Sequence, residues 1–341
     1  MRPRLIIPVL GLLLLSLTAR AETGRAPQRE YDVLRKFPPG RIVVESPDPQ
    51  GLTGTNRLHG RWIEAGPQRG SCRSVIYAVV QGDLTAADDA WRGIEAAFAH
   101  QLPDGRFHAN DRPNGKSARP YGPAVETAFF FLQELGRAIL VIRQSPHEAH
   151  FAERIDALLP RIRLSCDFIE GGFDQIIATT SHAANRIIIA AKAFGLCGLV
   201  LNDEQLVERS RQLMAHALTL RDEEGVFIEN GGRDSSYNVV SILFGQVLAL
   251  HLPLPEFEAA LPAAIKWQIS RVLESGEVDV RGNTRTGVGR EVSYGGAPKN
   301  VNYPEVYQAL TLYGLVHDDP AALAAADRVF AYHQRRTRAA D

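Results

Sequence analysis

The sequence predicts an all-α protein: an α/α toroid, or partial barrel of helical hairpins, preceded by an irregular N-terminal arm. Three observations lead there. Helical text runs from Thr85 almost to the end of the chain, with none of the repeated alternation that a large sheet needs. The helices alternate between an amphipathic kind with a charged face and a kind that is nearly continuous apolar text. The loops that lead into the apolar helices share a short pattern, a polar or acidic residue, Gly and an apolar residue, at a spacing of roughly 50 to 65 residues, the period of a helical-hairpin repeat.

The composition fits a large folded core. The chain has 341 residues, 45% hydrophobic and 23% charged, with 29 Gly, 20 Pro and 3 Cys, which excludes collagen-like, low-complexity and disulfide-scaffold classes. A formal charge of -1 gives no global field for nucleic acid. Arg2 and Arg4, the apolar run from Leu5 to Leu17 and the small-x-small sequence Ala19-Arg20-Ala21 have the layout of a signal peptide, cut after Ala21. The mature protein is therefore expected in the periplasm or outside the cell, with no membrane attachment after cleavage and a slight acidic excess.

Residues 22–84 read as the arm, rich in Pro, Gly, Arg and Gln, with one strand expected at Arg41 to Glu45. A domain of helical hairpins is expected over residues 85–341. Its helices fall at about 85–101, 121–144, 147–166, 182–200, 203–221, 237–251, 256–274, 302–315 and 320–335, with Asp203 and Asp319 as N-caps and Pro123 and Pro304 in first turns. Stretches such as Phe129 to Leu132, Ile187 to Ala191 and Val239 to Leu250 are apolar on every side and so belong to inner helices. The loop pattern reads Asp104-Gly105-Arg106-Phe107, Glu170-Gly171-Gly172-Phe173, Glu224-Gly225-Val226-Phe227 and Ser275-Gly276-Glu277-Val278. If these loops share one rim, the first turns of the inner helices line a concave mouth, the usual place for a ligand. Cys166 and Cys197 lie near neighbouring helices and either bridge or remain buried thiols, while Cys72 sits alone; no Cys or His spacing suits a metal, and no cofactor is expected.

Polar residues concentrate at the expected rim. The first loop and the helix after it offer His108, Asn110, Tyr121 and Glu126. The second inner helix opens on Ser181-His182-Ala183-Ala184-Asn185-Arg186, which puts His182, Asn185 and Arg186 on one helical face. The third loop carries Asn230, Arg233, Asp234 and Tyr237 around Gly231-Gly232, where adjacent glycines allow close backbone approach or form a plain turn ahead of a helix cap. The fourth and longest loop holds Arg281, Asn283, Arg285, Arg290, Tyr294, Lys299, Asn302 and Tyr303, a local positive patch on a slightly acidic chain.

An Asn/His-Arg element opening one inner helix and an Asn-Gly-Gly-Arg-Asp-Ser-Ser-Tyr element opening the next resemble the α/α-toroid polysaccharide lyases of the alginate lyase and heparinase-like groups, over about residues 85 to 335. The resemblance implies loops that present Asn, His, Arg and Tyr to a uronic-acid subsite, although Ala183-Ala184 stands where an aromatic residue is expected. The implied substrate is an acidic polysaccharide or oligosaccharide, cleaved by β-elimination. Asn185 and Arg186, or Arg233, would neutralise the carboxylate; Tyr237 or His182 would be the base and Tyr303 or Tyr294 the acid; Arg281, Arg285 and Arg290 would hold neighbouring acidic sugars. Two alternatives stay open. One is a glycoside hydrolase on the same scaffold using Glu126 and Asp234, and the other a non-catalytic periplasmic polysaccharide-binding protein.

Overall fold

The computed structural model describes residues 28–110, 122–289 and 298–340. All regular secondary structure among these residues is helical, and no strand is formed among them. Two short helices, α1 (Glu30–Leu34) and α2 (Gly54–Leu58), precede the first hairpin, made by α3 (Arg69–Gln81) and α4 (Leu84–Ala99). A second hairpin pairs α5 (Gly122–Gln144) with α6 (Glu148–Gly171), and α7 (Phe173–Thr180) leads to a third, α8 (Ala184–Leu201) with α9 (Glu204–Thr219). The fourth is α10 (Tyr237–Ala249) with α11 (Pro255–Ser270), and the fifth α12 (Tyr303–His317) with α13 (Pro320–Ala340).

The first helix of each pair is the inner one. Helices α3, α5, α8, α10 and α12 pack side by side in that order, each against its own outer partner. Asp203 caps α9 through the amides of Gln205 and Leu206, and Asp319 does the same for α13 through Ala321 and Ala322. Helix α8 is the one described helix long and apolar enough to cross a membrane, and it is 83% buried among its neighbours as a core helix.

Three of the four loop patterns fold identically. Residues Gln101–Phe107, Arg221–Phe227 and Val272–Val278 each close a single antiparallel bridge, with the glycine at Gly105, Gly225 or Gly276 in the left-handed region at φ 82 to 87°. These glycines also touch the next outer helix: an added Cβ would lie 2.0 Å from the Leu164 carbonyl oxygen at Gly105 and 2.0 Å from that of Arg328 at Gly276. The second pattern departs from the expectation. Gly171 ends α6 and Phe173 starts α7, so helix fills that connection.

The arm is less irregular than its composition suggests. It contains α3, an inner helix, and Arg41 to Glu45 form no strand. That stretch instead runs along the seam between the first and last hairpins. Arg41 donates to Thr311 Oγ1 at 2.6 Å and pairs with Asp327, the Arg41 carbonyl accepts from Gln308, the Ile42 carbonyl accepts from Gln81, and the Glu45 amide donates to Ser74 Oγ. Tyr77 Oη, from α3, donates directly to Gln308 Oε1 on α12 at 3.2 Å. An unpaired strand was the wrong expectation because these backbone groups find partners on helix side chains rather than on a sheet.

A buried ion network lies between the inner helices. Glu134 and Arg137 of α5, Lys192 of α8, Glu30 of α1 and His251 after α10 are joined by contacts of 2.6 to 3.1 Å. Burial opposes charge on Glu134, but Lys192, Arg137 and Arg73 outweigh it and hold the carboxyl far below its usual range. Burial holds Lys192 down at about 8. Helix α1 thus closes the C-terminal end of the inner helices, with the Tyr31 amide donating to Gln144 and Glu30 wholly buried. Cys72, Cys166 and Cys197 are buried free thiols; a hydrogen bond with Cys197 and burial raise the Cys166 thiol.

Candidate functional site

At the other end of the inner helices is a cavity of about 280 Å³. All five inner helices contribute to it: Arg69 and Arg73 from α3, Phe130 from α5, Asn185, Arg186 and Ile189 from α8, Tyr237, Val240 and Phe244 from α10, and Glu305 from α12. The segments 285–286 and 299–302 complete the lining with Arg285, Thr286, Lys299, Asn300 and Asn302. Phe130, Ile189, Val240 and Phe244 supply an apolar wall, while five cations supply the charge.

Of the residues expected at the rim, Asn185, Arg186, Tyr237, Arg285, Lys299 and Asn302 line this cavity. Asn185 and Arg186 occupy the first turn of α8. Arg186 pairs at 2.8 Å with Glu126 on α5, so Glu126 orients a cation at the cavity edge. Asn185 is 4% exposed, and its Oδ1 is buried with no hydrogen-bond partner among the described residues. Thr286 Oγ1 is in the same condition. The Tyr237 ring has Arg285 and Lys299 each 4.6 Å from its centroid. Arg285 is held there by Glu229, whose own carboxyl is raised by burial. Asn302 accepts from the Glu305 amide as the N-cap of α12.

The remaining expected residues are placed elsewhere. His182 is exposed in the turn before α8, which starts at Ala184, so it does not share a helical face with Asn185 and Arg186; its carbonyl accepts from the Asn230 amide at 2.7 Å. Ser181 ends α7 instead of capping α8. Asn230 and Gly231, at φ 51 and 80°, are the central pair of a tight hairpin turn closed by Glu229 and Gly232, so they serve the turn. Arg233 points away, pairing with Asp222 and Glu224 beside Trp267. Arg281 is exposed on Asp279. Asn283 is buried, bonding Ser235 and the Thr286 carbonyl. Tyr303 stacks outward against Tyr332 and His333 on α13, and burial pushes its phenol up to about 12. His108 and Asn110 are exposed, tied through backbone and amide groups to Trp62 and Ile63. Tyr121, Arg290 and Tyr294 lie outside the described residues.

Asp234 is wholly buried and accepts four backbone amides, those of Ser236, Tyr237, Arg285 and Thr286. It fixes the start of α10 to the 285–286 segment. A carboxylate so occupied has no lone pair aimed at a ligand, so the Glu126–Asp234 pair of a hydrolase is not assembled.

The sequence reading missed Arg69, Arg73 and Glu305. A signal was present: Arg69 and Arg73 stand four residues apart just before the apolar run Val75 to Val80, as Asn185 and Arg186 precede Ile187 to Ala191. Comparison of the chain with protein-family models, with curated proteins and with solved structures returns no match.

Proposed function

We propose that the protein is an exported polysaccharide lyase with the architecture of a five-hairpin α/α toroid, acting on a uronic-acid-containing glycan in the cavity at the inner-helix N-termini. The closure of α3 onto α12 by Tyr77, Gln308 and the arm supports the toroid. The observation that carries the activity is Tyr237, the one phenol on the cavity lining among the described residues, set between Arg285 and Lys299 on the same lining as Asn185.

In this reading the Asn185 Nδ2 and the Arg186 guanidinium donate to the uronate carboxylate and stabilise the charge that develops on it, while Asn185 Oδ1 accepts from a sugar hydroxyl. Tyr237 removes the C5 proton, the C4–C5 double bond forms as the C4–O4 bond breaks, and a phenol returns a proton to O4. Since Tyr303 faces α13, Tyr237 itself serves that second transfer. Cations beside its ring favour negative charge at this point of the cavity during the exchange. The signal-peptide layout of residues 1–21 is what supports export.

The test is incubation of the mature protein with a panel of acidic and neutral polysaccharides, following ultraviolet absorbance of unsaturated products together with reducing ends. Absorbance rising with reducing ends on an acidic polymer, lost in Tyr237→Phe, is the expected result. Reducing ends without absorbance would replace the lyase by a hydrolase.

A further inference from the structure

Arg69 and Arg73 rise from one face of α3 into the cavity wall, four residues apart. Their surroundings differ. Arg73 has Glu134 at 3.6 Å and Glu305 at 3.9 Å. Arg69 has no carboxylate within 4 Å among the described residues; it donates to the Gly66 carbonyl at 3.0 Å and lies over the Phe130 ring at 5.3 Å. Burial, with repulsion from Arg73, holds its guanidinium down at about 10. An anion in the cavity would offset the repulsion and compensate the burial by pairing with the guanidinium.

Two further atoms point to a ligand. Thr286 Oγ1, a hydroxyl able to donate to an anion, and Asn185 Oδ1, an acceptor that a sugar hydroxyl would complete, are buried and unpartnered, on cavity-lining residues 1% and 4% exposed. Leaving such groups unpaired costs stability unless something binds there. A single uronate carboxylate on Asn185 and Arg186 leaves the α3 pair unused.

We propose that Arg69 and Arg73 form a second anion subsite, so that the sugar accepted in this cavity carries two acidic groups: a carboxylate at Asn185 and Arg186, and a carboxylate or sulfate at the α3 arginines. The guanidinium fork suits either group, and the Phe130 face fixes its plane. The proposal rests on the lyase reading only in taking the cavity as the sugar site.

Titration calorimetry of the full mature chain with three probes tests it: glucuronate, a mono-O-sulfated glucuronate and glucarate, which has a carboxylate at each end. One or both of the doubly charged probes should bind at least about tenfold tighter than glucuronate, as one charge-assisted contact implies, and which of them does so distinguishes sulfate from carboxylate. Arg69→Gln should erase that preference while leaving glucuronate unchanged. Equal affinity for all three probes in the native protein, or an Arg69→Gln loss of the same factor for each, would overturn the subsite. If Arg69→Gln lowers the melting temperature, Arg69→Lys decides instead: it keeps the charge but not the fork, and the preference should shrink; an unchanged preference refutes the proposal. Binding is read without turnover. A preference with no unsaturated product from any polymer keeps the subsite and discards the lyase, and unsaturated product without a preference does the reverse.

Discussion

The two ends of the inner helices make opposite use of charge. At the C-terminal end and in the middle, Glu30, Glu134, Arg137, Lys192 and His251 are buried and mutually paired, each carboxylate meeting at least two cations or a cation and an imidazole. At the N-terminal end, among the described residues, Arg69 has no carboxylate within 4 Å and the Asn185 Oδ1 and Thr286 Oγ1 atoms have no partner. A satisfied network holds helices in place, whereas unsatisfied polar atoms in a cavity are tolerated where a ligand completes them. The contrast separates framework from site more sharply than residue type does, since both ends are rich in Arg and Glu.

The largest expected effect is at the paired end. Glu134→Ala would strand Arg137, Lys192 and Arg73 without their shared carboxylate, and should cost about 3 to 5 kcal/mol in urea unfolding. A loss below about 1 kcal/mol would show that the network is dispensable. At the cavity, Tyr237→Phe should lower turnover on the responsive polymer by about a hundredfold or more. Retained turnover would remove Tyr237 as the base.

A pH series sharpens the paired end further. Lys192 is held down at about 8 from its ordinary 10.5, so between those values the unfolded chain binds more protons and stability from this group rises with pH. Relative to Lys192→Met, the native protein should gain up to about 1.4 kcal/mol per pH unit across that window. Parallel urea curves for the two proteins would mean that the ammonium is not destabilised by burial.

The smallest effect is the most diagnostic. Asn185→Ala removes a buried oxygen that lacks a partner, so stability should be unchanged or rise by about 1 kcal/mol while affinity for acidic sugars falls. A clear loss of stability would place Asn185 in the framework.

Much of this was legible in the sequence, for identifiable reasons. Apolar runs such as Ile187 to Ala191 are long enough to mark inner helices, and the caps Asp203 and Asp319 act locally, so both survive translation into three dimensions. The Gly105, Gly225 and Gly276 loops were legible because a backbone at φ 82 to 87°, pressed against the next outer helix, favours glycine. Asn185, Arg186, Tyr237, Arg285, Lys299 and Asn302 were legible as polar residues at the entrance of apolar helices. Helix α3 was not, since its short apolar run sits in Pro- and Gly-rich text, and with it went Arg69 and Arg73.

By itself the sequence determined that the chain is helical from about residue 85, that α5, α8 and α10 are inner, and which end of them gathers polar side chains, because these follow from periodicity and from residues next to one another. Only the tertiary structure decided which of those side chains face the cavity. Arg233 and Arg285 sit in similar text, yet Asp222 and Glu224 draw one outward and Glu229 holds the other beside Tyr237. Direction depends on the partner that each charge finds, and those partners come from other parts of the chain.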